Sequence, residues 1–237
     1  SLKNIKKMTN KKFKIITALS VFYDLKKPNN FLKDVKKVLS HNGIFLIELA
    51  DIGSILKYKM FDAICHEHLE YYSSKVMNSM CKKNGLRIFD IKSNKINGGS
   101  KQFYISHENS KYKTNQKILK KTFNLEKKQG VGKISTFKNF FKEINEIGNK
   151  LVTYLKKLKS LNKLIHGYGA STKGNVLLQY FKIGKNFIDC ISDRNPMKNG
   201  QFTPGTKIKI VSEKISRKLK PDYYLVLPWH FKNEILK

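Results

Sequence analysis

Two apolar runs separated by one amphipathic stretch constrain the fold of this chain more than any other feature. KFKIITALSVF (12–22) and GIFLIELA (43–50) are rich in β-branched and aromatic residues, which is typical of buried strands. Between them, FLKDVKKVL (31–39) has the apolar spacing of a helix, and HNG (41–43) places Gly43 as its cap. A strand, a helix and a strand at this spacing predict a βαβ unit, and therefore a parallel sheet covered on both faces.

The alternation of helices and strands continues beyond this unit. A helix is predicted over 73–85, because the stretch opens with Ser and closes with Gly. Strands are predicted over 86–94 and 101–108, joined by the turn NGGS (97–100). Residues 111–162 are rich in lysine and carry apolar residues at helical spacing, which predicts a helical connector.

The last part of the chain has the pattern of a second α/β unit. KLIHGYGASTKGNVLLQYF (163–181) predicts a strand, a glycine turn and a helix. Further strands are predicted over 186–193 and 208–211 and at the start of DYYLVLPWH (222–230), before the loop LPWH (227–230). We therefore predict an α/β fold with a larger first domain, a helical connector and a smaller second domain, over residues 1–110, 111–162 and 163–237.

The net charge of +31 limits the partners that this chain can have. It arises from 48 lysine and arginine residues against 17 acidic residues, and only three of the basic residues are arginine. Proteins that read phosphates and bases favour arginine, whose planar guanidinium binds such groups bidentately. An even excess of lysine, with abundant Asn and Ile, indicates AT-rich coding bias, so we predict no nucleic-acid partner. A basic surface still favours anionic small molecules such as nucleotide-linked substrates.

Cysteine usage and hydropathy indicate the compartment. Cys65, Cys81 and Cys190 form no CxxC pair, which favours a reducing environment. No apolar run approaches the about 20 residues that a membrane helix needs. The N-terminus is polar and lysine-rich and does not resemble a signal peptide. These features predict a cytoplasmic protein without a membrane partner.

The stretch FDAICHEHLEYYS (61–73) concentrates side chains that carry chemistry. Cys65, His66 and His68 are metal-ligand types, but their spacing differs from the four-residue spacing of helical His pairs, and no metal is predicted here. A histidine that titrates near neutral pH can instead remove a proton from a carbon beside a carbonyl group, with an adjacent carboxylate to orient it. A polar turn with a structural histidine is the third interpretation, and the residues alone leave it open.

GYGASTKGN (167–175) places a glycine turn between a strand and a helix, where backbone N–H groups and the helix dipole suit an anion. Asp193 lies 26 residues after Gly167, near where a ribose-binding acid stands in dinucleotide-binding folds. Arg194 beside it weakens that interpretation, and ordinary turn chemistry explains the pattern equally well. Trp229 follows a predicted strand and is either a lid over a sugar or base or a packing residue.

Six segments, taken in order, resemble the sugar C-methyltransferases. These are class I S-adenosylmethionine (SAM) enzymes that act on nucleotide-linked keto-deoxysugars. The segments are FYDLKKPNNF, FDAICHEHLEYYS, INGGS, GYGASTKGN, DRNPMKNGQFTPGT and PDYYLVLPWHF. The resemblance covers almost the whole chain except the lysine-rich connector.

The resemblance implies three modules: a Cys-rich zinc-binding domain, a Rossmann-like SAM-binding domain and a C-terminal α/β domain. The first predicted strand resembles the fourth strand of the family's SAM domain. We therefore expect a truncated Rossmann-like SAM methyltransferase domain followed by the smaller α/β domain. The main SAM-binding loop is absent from this chain, zinc is expected only in the missing N-terminal domain, and a separate N-terminal half is a possible partner.

The family's chemistry assigns roles to residues of this chain. A 4-keto group makes the neighbouring C–H acidic, a base removes the proton, and the enolate attacks the SAM methyl group. The resemblance places the base at His68 and its partner at Glu67. Asp24 matches a position where some relatives carry histidine, and a polar role near the sugar is implied there.

Cofactor and substrate residues follow from the same resemblance and from the turn chemistry. Residues expected to border SAM are Ala18, Leu19 and Ser20. Residues expected to bind the nucleotide-linked substrate are Tyr71, Tyr72, Asn97, Ser171, Lys173 and Asn175. The alternative to a methyltransferase is a non-catalytic remnant or subunit that binds a nucleotide sugar, and a basic nucleic-acid-binding protein is less favoured.

Overall fold

A computed structural model describes residues 11–236 of the chain. The start of the chain, on which the prediction about a signal peptide depends, lies outside the described residues. The chain divides into two compact units. The first contains the residues up to Tyr58 together with His66–Phe137, and the second contains Lys59–Cys65 and the residues from Lys138 onward. The predicted domain boundaries near residues 110 and 162 stay a prediction.

The first unit is built on a four-stranded mixed sheet. Its strands are β1 (Phe13–Leu19), β2 (Leu39–Ala50), β3 (Leu86–Asn94) and β4 (Ser100–His107). Their order is β1-β2-β4-β3, with β1 and β2 parallel and β4 antiparallel to both of its neighbours. The predicted βαβ unit and the hairpin around NGGS are therefore confirmed.

The helices of the first unit are α1 (Pro28–Val38), α2 (Ile52–Tyr58), α3 (Ser74–Lys83) and α4 (Gln116–Lys128). Three of the four, α1, α3 and α4, pack against this sheet in one hydrophobic core. The side chains of Phe22, Phe45 and Phe103 are fully buried in the core of this unit. Ser73 caps α3 by accepting a hydrogen bond from the Val76 N–H at 3.2 Å, as the sequence predicts.

Gly43 is not a helix cap. Helix α1 ends at Val38, and Gly43 lies inside β2. A Cβ atom at Gly43 would lie 2.7 Å from Leu39 Cδ1 and 3.0 Å from the Phe13 carbonyl oxygen. The glycine is required by close packing within the strand, so the prediction of a cap is wrong.

The first strand forms where it is predicted, but the prediction that it is buried is wrong. Ile15 is 68% exposed and Leu19 is 50% exposed, and the two side chains share a face of β1 because strand residues alternate between faces. Among residues 11–236, β1 pairs with β2 alone and forms the edge of the sheet. Strands of parallel sheets are normally covered on both faces, so this apolar edge strand is unusual.

A buried network of charged side chains ties the helices of the first unit to its sheet. The ammonium group of Lys101 lies 2.6 Å from Glu126 Oε1 and 2.9 Å from Asp51 Oδ1. Glu126 also accepts hydrogen bonds from Ser74, at 2.6 Å from the hydroxyl and at 3.0 Å from the backbone N–H. Glu126 therefore holds α4 against both β4 and the first residue of α3.

The second unit is a smaller parallel α/β structure. Its helices are α5 (Ile134–Ser160, of which the first residues group with the first unit), α6 (Thr172–Tyr180), α7 (Glu213–Lys218) and α8 (Lys232–Ile235). Its strands are β5 (Ile165–Tyr168), β6 (Cys190–Asp193), β7 (Ile210–Ser212) and β8 (Tyr223–Val226). All pairs are parallel and the order is β7-β6-β5-β8. The chain adds β6 and β7 on one side of β5 and then returns to place β8 on its other side, so the strand order switches between β5 and β8. In open α/β sheets, ligands bind at the carboxyl ends of the strands beside such a switch point.

His166 makes the second unit sensitive to acid. The side chain is 1% exposed, and its Nδ1 atom lies 2.8 Å from the hydroxyl of Ser216, which in turn lies 2.9 Å from the hydroxyl of Tyr224. Burial lowers the pKa of His166, against a smaller opposing effect of the Asp189 charge. The folded protein therefore binds fewer protons at this site than the unfolded chain.

We expect the stability contribution of His166 to be complete above its unfolded pKa of about 6.5 and to be lost as the pH falls from there through the lowered folded pKa. In urea titrations from pH 7.5 to pH 5, the unfolding midpoint should fall. The variant His166→Gln should show a smaller fall, because it has no imidazole to protonate. An unchanged slope in His166→Gln would contradict the prediction.

The helices among residues 11–236 include none with the length and apolar character needed to cross a membrane.

Candidate functional site

His68 is the residue of the CHEH motif that the fold holds in place. Its half-buried ring lies 4.2 Å from the ring of Tyr23 and 6.2 Å from the ring of Tyr71. The carbonyl oxygen of Tyr23 accepts hydrogen bonds from the N–H groups of Leu69 and Glu70, at 3.0 and 3.2 Å. Tyr23 therefore fixes both the imidazole and the backbone that follows it.

The neighbours of His68 in the motif point to solvent. The side chain of His66 is 85% exposed, and its Nε2 atom lies 3.9 Å from Glu67 Oε1. The Glu67 carboxylate is also exposed. Asp24 lies next to Tyr23 in a short 3-10 turn, Phe22–Asp24, and its side chain is exposed as well. Of the three residues predicted to be catalytic, His68 packs its side chain against aromatic rings, whereas the side chains of Glu67 and Asp24 are exposed.

The three residues predicted to border SAM lie at the carboxyl end of β1 and differ in their surroundings. Ala18 is buried in the core of the first unit. Leu19 is half exposed. Ser20 has a left-handed backbone (φ 55°), and its N–H donates to the carbonyl oxygen of Glu48 at 3.0 Å.

A buried carboxylate in β2 is a feature that the sequence analysis missed. Glu48 is 5% exposed, and its Oε2 atom accepts hydrogen bonds from Asn94 Nδ2 at 2.9 Å and from Gln102 Nε2 at 2.7 Å. The hydroxyl of Tyr104 extends this polar group by donating to Gln102 Oε1 at 3.2 Å. The single acid within the apolar run IFLIELA was the signal, because a charged residue inside a buried strand needs such partners.

The two tyrosines after the CHEH motif have different surroundings. Tyr71 contacts the His68 ring, whereas Tyr72 packs its ring 5.3 Å from that of Phe22 in the core. Burial raises the pKa of Tyr72 to about 12. Its buried hydroxyl has no hydrogen-bond partner within the described part of the chain. Asn97, the other predicted substrate residue of the first unit, is exposed in the Ile96–Gly98 turn with φ 54°.

The glycine turn of the second unit is closed by its own hydrogen bonds. Ser171 caps α6 by accepting from the Gly174 N–H at 3.0 Å. One oxygen of Asp193 accepts from the Ala170 N–H at 2.7 Å, and the other accepts from the Asn195 N–H at 2.8 Å. One oxygen of Asp193 therefore braces the turn and the other braces the loop after β6, so both are occupied within the fold, which favours turn chemistry over ribose binding.

Gly169 explains why this turn needs glycine. Its φ is +82°, and a Cβ atom there would lie 2.7 Å from the ring of Pro228. The loop after β8 thus packs directly on the turn. A cleft of about 320 Å³ lies beside this contact and is lined in part by Gly169, Pro228 and Arg194.

Lys173 interacts electrostatically with two titratable groups of the second unit, the buried Asp62 and the half-buried His230. Asp62 is 3% exposed, and its Oδ2 atom accepts a hydrogen bond from Trp229 Nε1 at 2.9 Å. Burial raises the pKa of Asp62, and the Trp229 hydrogen bond and the charges of Lys173 and His230 oppose that rise. Burial lowers the pKa of both Lys173 and His230. Perturbed pKa values of this kind are common at functional sites.

Two buried atoms near α6 are unsatisfied. Asn175 Oδ1 and His230 Nδ1 have no hydrogen-bond partner among residues 11–236. Most buried polar atoms in proteins are hydrogen-bonded, so each exception needs an explanation, and a bound ligand is one. The same residues contain no group of three or more His, Cys, Asp or Glu side chains that could hold a metal ion.

Comparison with known proteins decides the family. Residues 95–237, more than half of the chain, match the family described as the C-methyltransferase C-terminal domain. The chain belongs to the C-methyltransferase family. The resemblance seen in the sequence is thereby confirmed.

Among curated proteins, the C-methyltransferase NovU of Streptomyces niveus is 28% identical to this C-methyltransferase family member over 205 residues. The match covers 86% of this chain and 49% of NovU, so the chain spans about half the length of this relative.

Two solved structures are similar to part of this chain. Magnesium protoporphyrin IX methyltransferase (ChlM) from Synechocystis PCC 6803 with bound SAH is 10% identical, at a TM-score of 0.33 over 42% of this chain and 47% of that one. An S-adenosylmethionine-dependent methyltransferase from Clostridium acetobutylicum ATCC 824 is 12% identical, at a TM-score of 0.33 over 42% of this chain and 60% of that one.

In this C-methyltransferase family member, the predicted residues fall into two groups, one in each unit. His68 and Tyr71 lie together in the first, and Lys173 lies in a charged cluster in the second. Sequence reasoning missed Asp62 and His230. The signal for Asp62 was an acid between apolar residues in FDA (61–63), which a local pattern does not connect to any partner.

Proposed function

We propose that this protein functions in SAM-dependent C-methyl transfer to a nucleotide-linked 4-keto-deoxysugar. The observation that carries the proposal is the match of residues 95–237 to the C-methyltransferase C-terminal domain. The name of the relative NovU, a C-methyltransferase, supports the reaction type. The substrate class rests on the six ordered segments that resemble the sugar C-methyltransferases.

His68 is the proposed base. Its neutral imidazole takes the proton from the carbon beside the ketone, and the electron pair of the broken C–H bond moves to the carbonyl oxygen as an enolate. The enolate carbon then forms the new C–C bond. SAM supplies an electrophilic methyl group on a positively charged sulfur, which leaves as a neutral thioether. The tilted ring contact with Tyr23, at 4.2 Å between the ring centroids, supports this assignment, because it orients the imidazole before the substrate binds.

The other polar residues of the first unit are assigned to the sugar. Glu67 orients the base or accepts a hydrogen bond from a substrate hydroxyl, and Asp24 contributes a further carboxylate. Tyr71 and Tyr72 line the sugar pocket. The buried hydroxyl of Tyr72, without a partner among residues 11–236, fits a group that a substrate hydroxyl satisfies. Asn97 is assigned to the same substrate from its place in INGGS.

In the second unit, Ser171, Lys173 and Asn175 are assigned to phosphate or hydroxyl groups of the substrate. Lys173 is the second residue of α6, and the helix dipole also favours an anion at this end of the helix. The unsatisfied Asn175 Oδ1 is an acceptor for a hydroxyl donor. This cluster includes no residue assigned to SAM. That observation favours a nucleotide-sugar-binding subunit as the second candidate function.

The cofactor assignment is confined to the carboxyl end of β1. Leu19 is half exposed and Ser20 has a left-handed backbone, and both features fit a ligand beside this strand end. The carboxyl ends of strands are the usual place for ligands in α/β sheets. We further propose that a separate N-terminal half pairs with the open edge of β1 and completes the SAM-binding domain. The exposed apolar side chain of Ile15 supports this partner, and any zinc belongs to that half.

Methyl transfer tests the proposal directly. The chain, joined to the polypeptide that completes its SAM-binding domain, is incubated with SAM carrying a labelled methyl group and a nucleotide-linked 4-keto-deoxysugar. We expect label on carbon, and we expect the chain alone to bind SAM weakly in calorimetry. Binding of the sugar nucleotide without any methyl transfer would contradict the proposed enzymatic function and support the second candidate, a nucleotide-sugar-binding subunit. Micromolar SAM binding by the chain alone would contradict the need for a completing half.

A further inference from the structure

A second cleft of the second unit lies away from the glycine turn. It has a volume of about 530 Å³, which is within the usual range for small-molecule sites. One wall is a face of α5, and the other is residues 180–182 at the end of α6. Helix α6 begins at Thr172, so the cleft lies at the opposite end of this helix from Ser171 and Lys173. Every residue that lines the cleft belongs to the second unit.

The α5 wall of the cleft carries a stripe of polar side chains. Its members recur at intervals of four, four and three residues, which places them on one face of the helix. They are Asn145, Asn149, Thr153 and Lys156. Amide, hydroxyl and ammonium groups all form hydrogen bonds. This face therefore suits a polar ligand with several hydroxyl or anionic groups.

The two walls of the cleft are joined by contacts of their own. A Cβ atom at Gly148 would overlap the ring of Phe181, so the glycine lets this ring pack directly against α5. The hydroxyl of Tyr180 donates a hydrogen bond to Asn145 Oδ1 at 3.0 Å. These contacts form without a ligand, so the cleft is preformed, and a preformed site lowers the entropic cost of binding.

The charge of the cleft favours an anion. Among the described residues that line it are two lysines, Lys156 and Lys182, and no acidic residue. Neither lysine forms an ion pair within residues 11–236. A lysine ammonium is a compact charge with three donors and is a common partner of phosphate. The cleft thus offers two cations whose charge a phosphate group can neutralise.

The ring of Tyr180 gives the cleft an exposed apolar surface. Tyr180 is 45% exposed, and its hydroxyl is held by Asn145. The C–H face of a sugar ring is apolar and packs well on an aromatic ring, whereas the sugar hydroxyls need donors and acceptors such as Asn149 and Thr153. An aromatic ring, amides and cations together match a phosphorylated sugar better than free phosphate.

We propose that this cleft is a second ligand site, which binds a phosphorylated sugar. Lys156 and Lys182 pair with the phosphate group. Asn149 and Thr153 form hydrogen bonds with the sugar hydroxyls, and Tyr180 contacts the sugar ring. The site uses none of the residues assigned to methyl transfer, so it does not depend on the proposed function.

Calorimetry of the full chain with glucose 1-phosphate tests the proposal. We expect saturable binding, and Lys156→Met and Lys182→Met should each weaken it by about fivefold or more, because each removes a charge-assisted hydrogen bond. Lys157→Met is the matched control: it removes the same charge from the next residue of α5, which does not line the cleft, and should bind as the wild type does. Lys173→Met should also leave the affinity unchanged, since Lys173 lies at the other end of α6.

Non-specific attraction of an anion to a chain of net charge +31 is the alternative explanation. It would weaken binding equally in Lys156→Met and Lys157→Met, and that result would overturn the proposal. So would the absence of saturable binding up to about 10 mM ligand, or an equal affinity for inorganic phosphate. Amide hydrogen exchange locates the ligand, and we expect protection over residues 145–156 and 180–182. Protection confined to residues 171–175 would assign the sugar phosphate to the glycine turn and contradict the proposal.

Discussion

His68→Ala is expected to lower kcat for methyl transfer by about 10²- to 10⁴-fold, the usual effect of removing a general base. In the proposed reaction, the C–H bond beside the ketone must be broken before carbon can attack the methyl group. The other imidazole of the motif, that of His66, is exposed. SAM binding should be unchanged, because the residues assigned to the cofactor lie at the end of β1.

His66→Ala is the matched control for this prediction. It removes the same side chain two residues earlier in the motif, but the His66 side chain is 85% exposed. Its kcat should stay within about twofold of wild type. Assays with labelled SAM at saturating sugar nucleotide measure both variants. Equal rates for wild type and His68→Ala would contradict the assignment of His68 as the base.

Lys101→Met is expected to lower the free energy of unfolding by about 3–5 kcal/mol, as is usual when one partner of a buried ion pair is removed. In the wild-type protein, Lys101 Nζ lies 2.6 Å from Glu126 Oε1 and 2.9 Å from Asp51 Oδ1. The substitution removes this shared cation from both carboxylates. Glu126→Gln should also destabilise the protein, because it weakens the contacts to Lys101 and Ser74 together.

Urea denaturation followed by circular dichroism measures these changes. Lys37→Met is the control, since Lys37 forms an exposed pair with Asp34 at 3.9 Å, and such pairs contribute about 1 kcal/mol or less. The double variant Lys101→Met, Glu126→Gln should lose less than the sum of the single losses, because the two groups interact directly. A loss below about 1 kcal/mol in Lys101→Met would show that the network is not needed for stability.

The resemblance to the sugar C-methyltransferases is sufficient to name the family, because six short segments in fixed order are far more specific than any single motif. It also distinguishes His68 among the six histidines of the chain. The roles assigned to individual residues remain predictions, since neither the fold nor the family match tests them.

The elements themselves were determined by the sequence alone. Helix α3 begins after Ser73, the NGGS turn joins two antiparallel strands, and the first βαβ unit is parallel, all as predicted. Periodicity, capping and turn chemistry act between residues a few positions apart, so the local sequence is sufficient to define them.

Only the tertiary structure decided the outcomes that depend on distant residues. The exposure of Ile15 follows from the place of β1 at the sheet edge, and the role of Asp193 follows from the turn that it braces. The pairing of Asp62 with Trp229 spans 167 positions. No local pattern encodes such a pair, because the carboxylate finds its donor only when packing brings the two chain segments together.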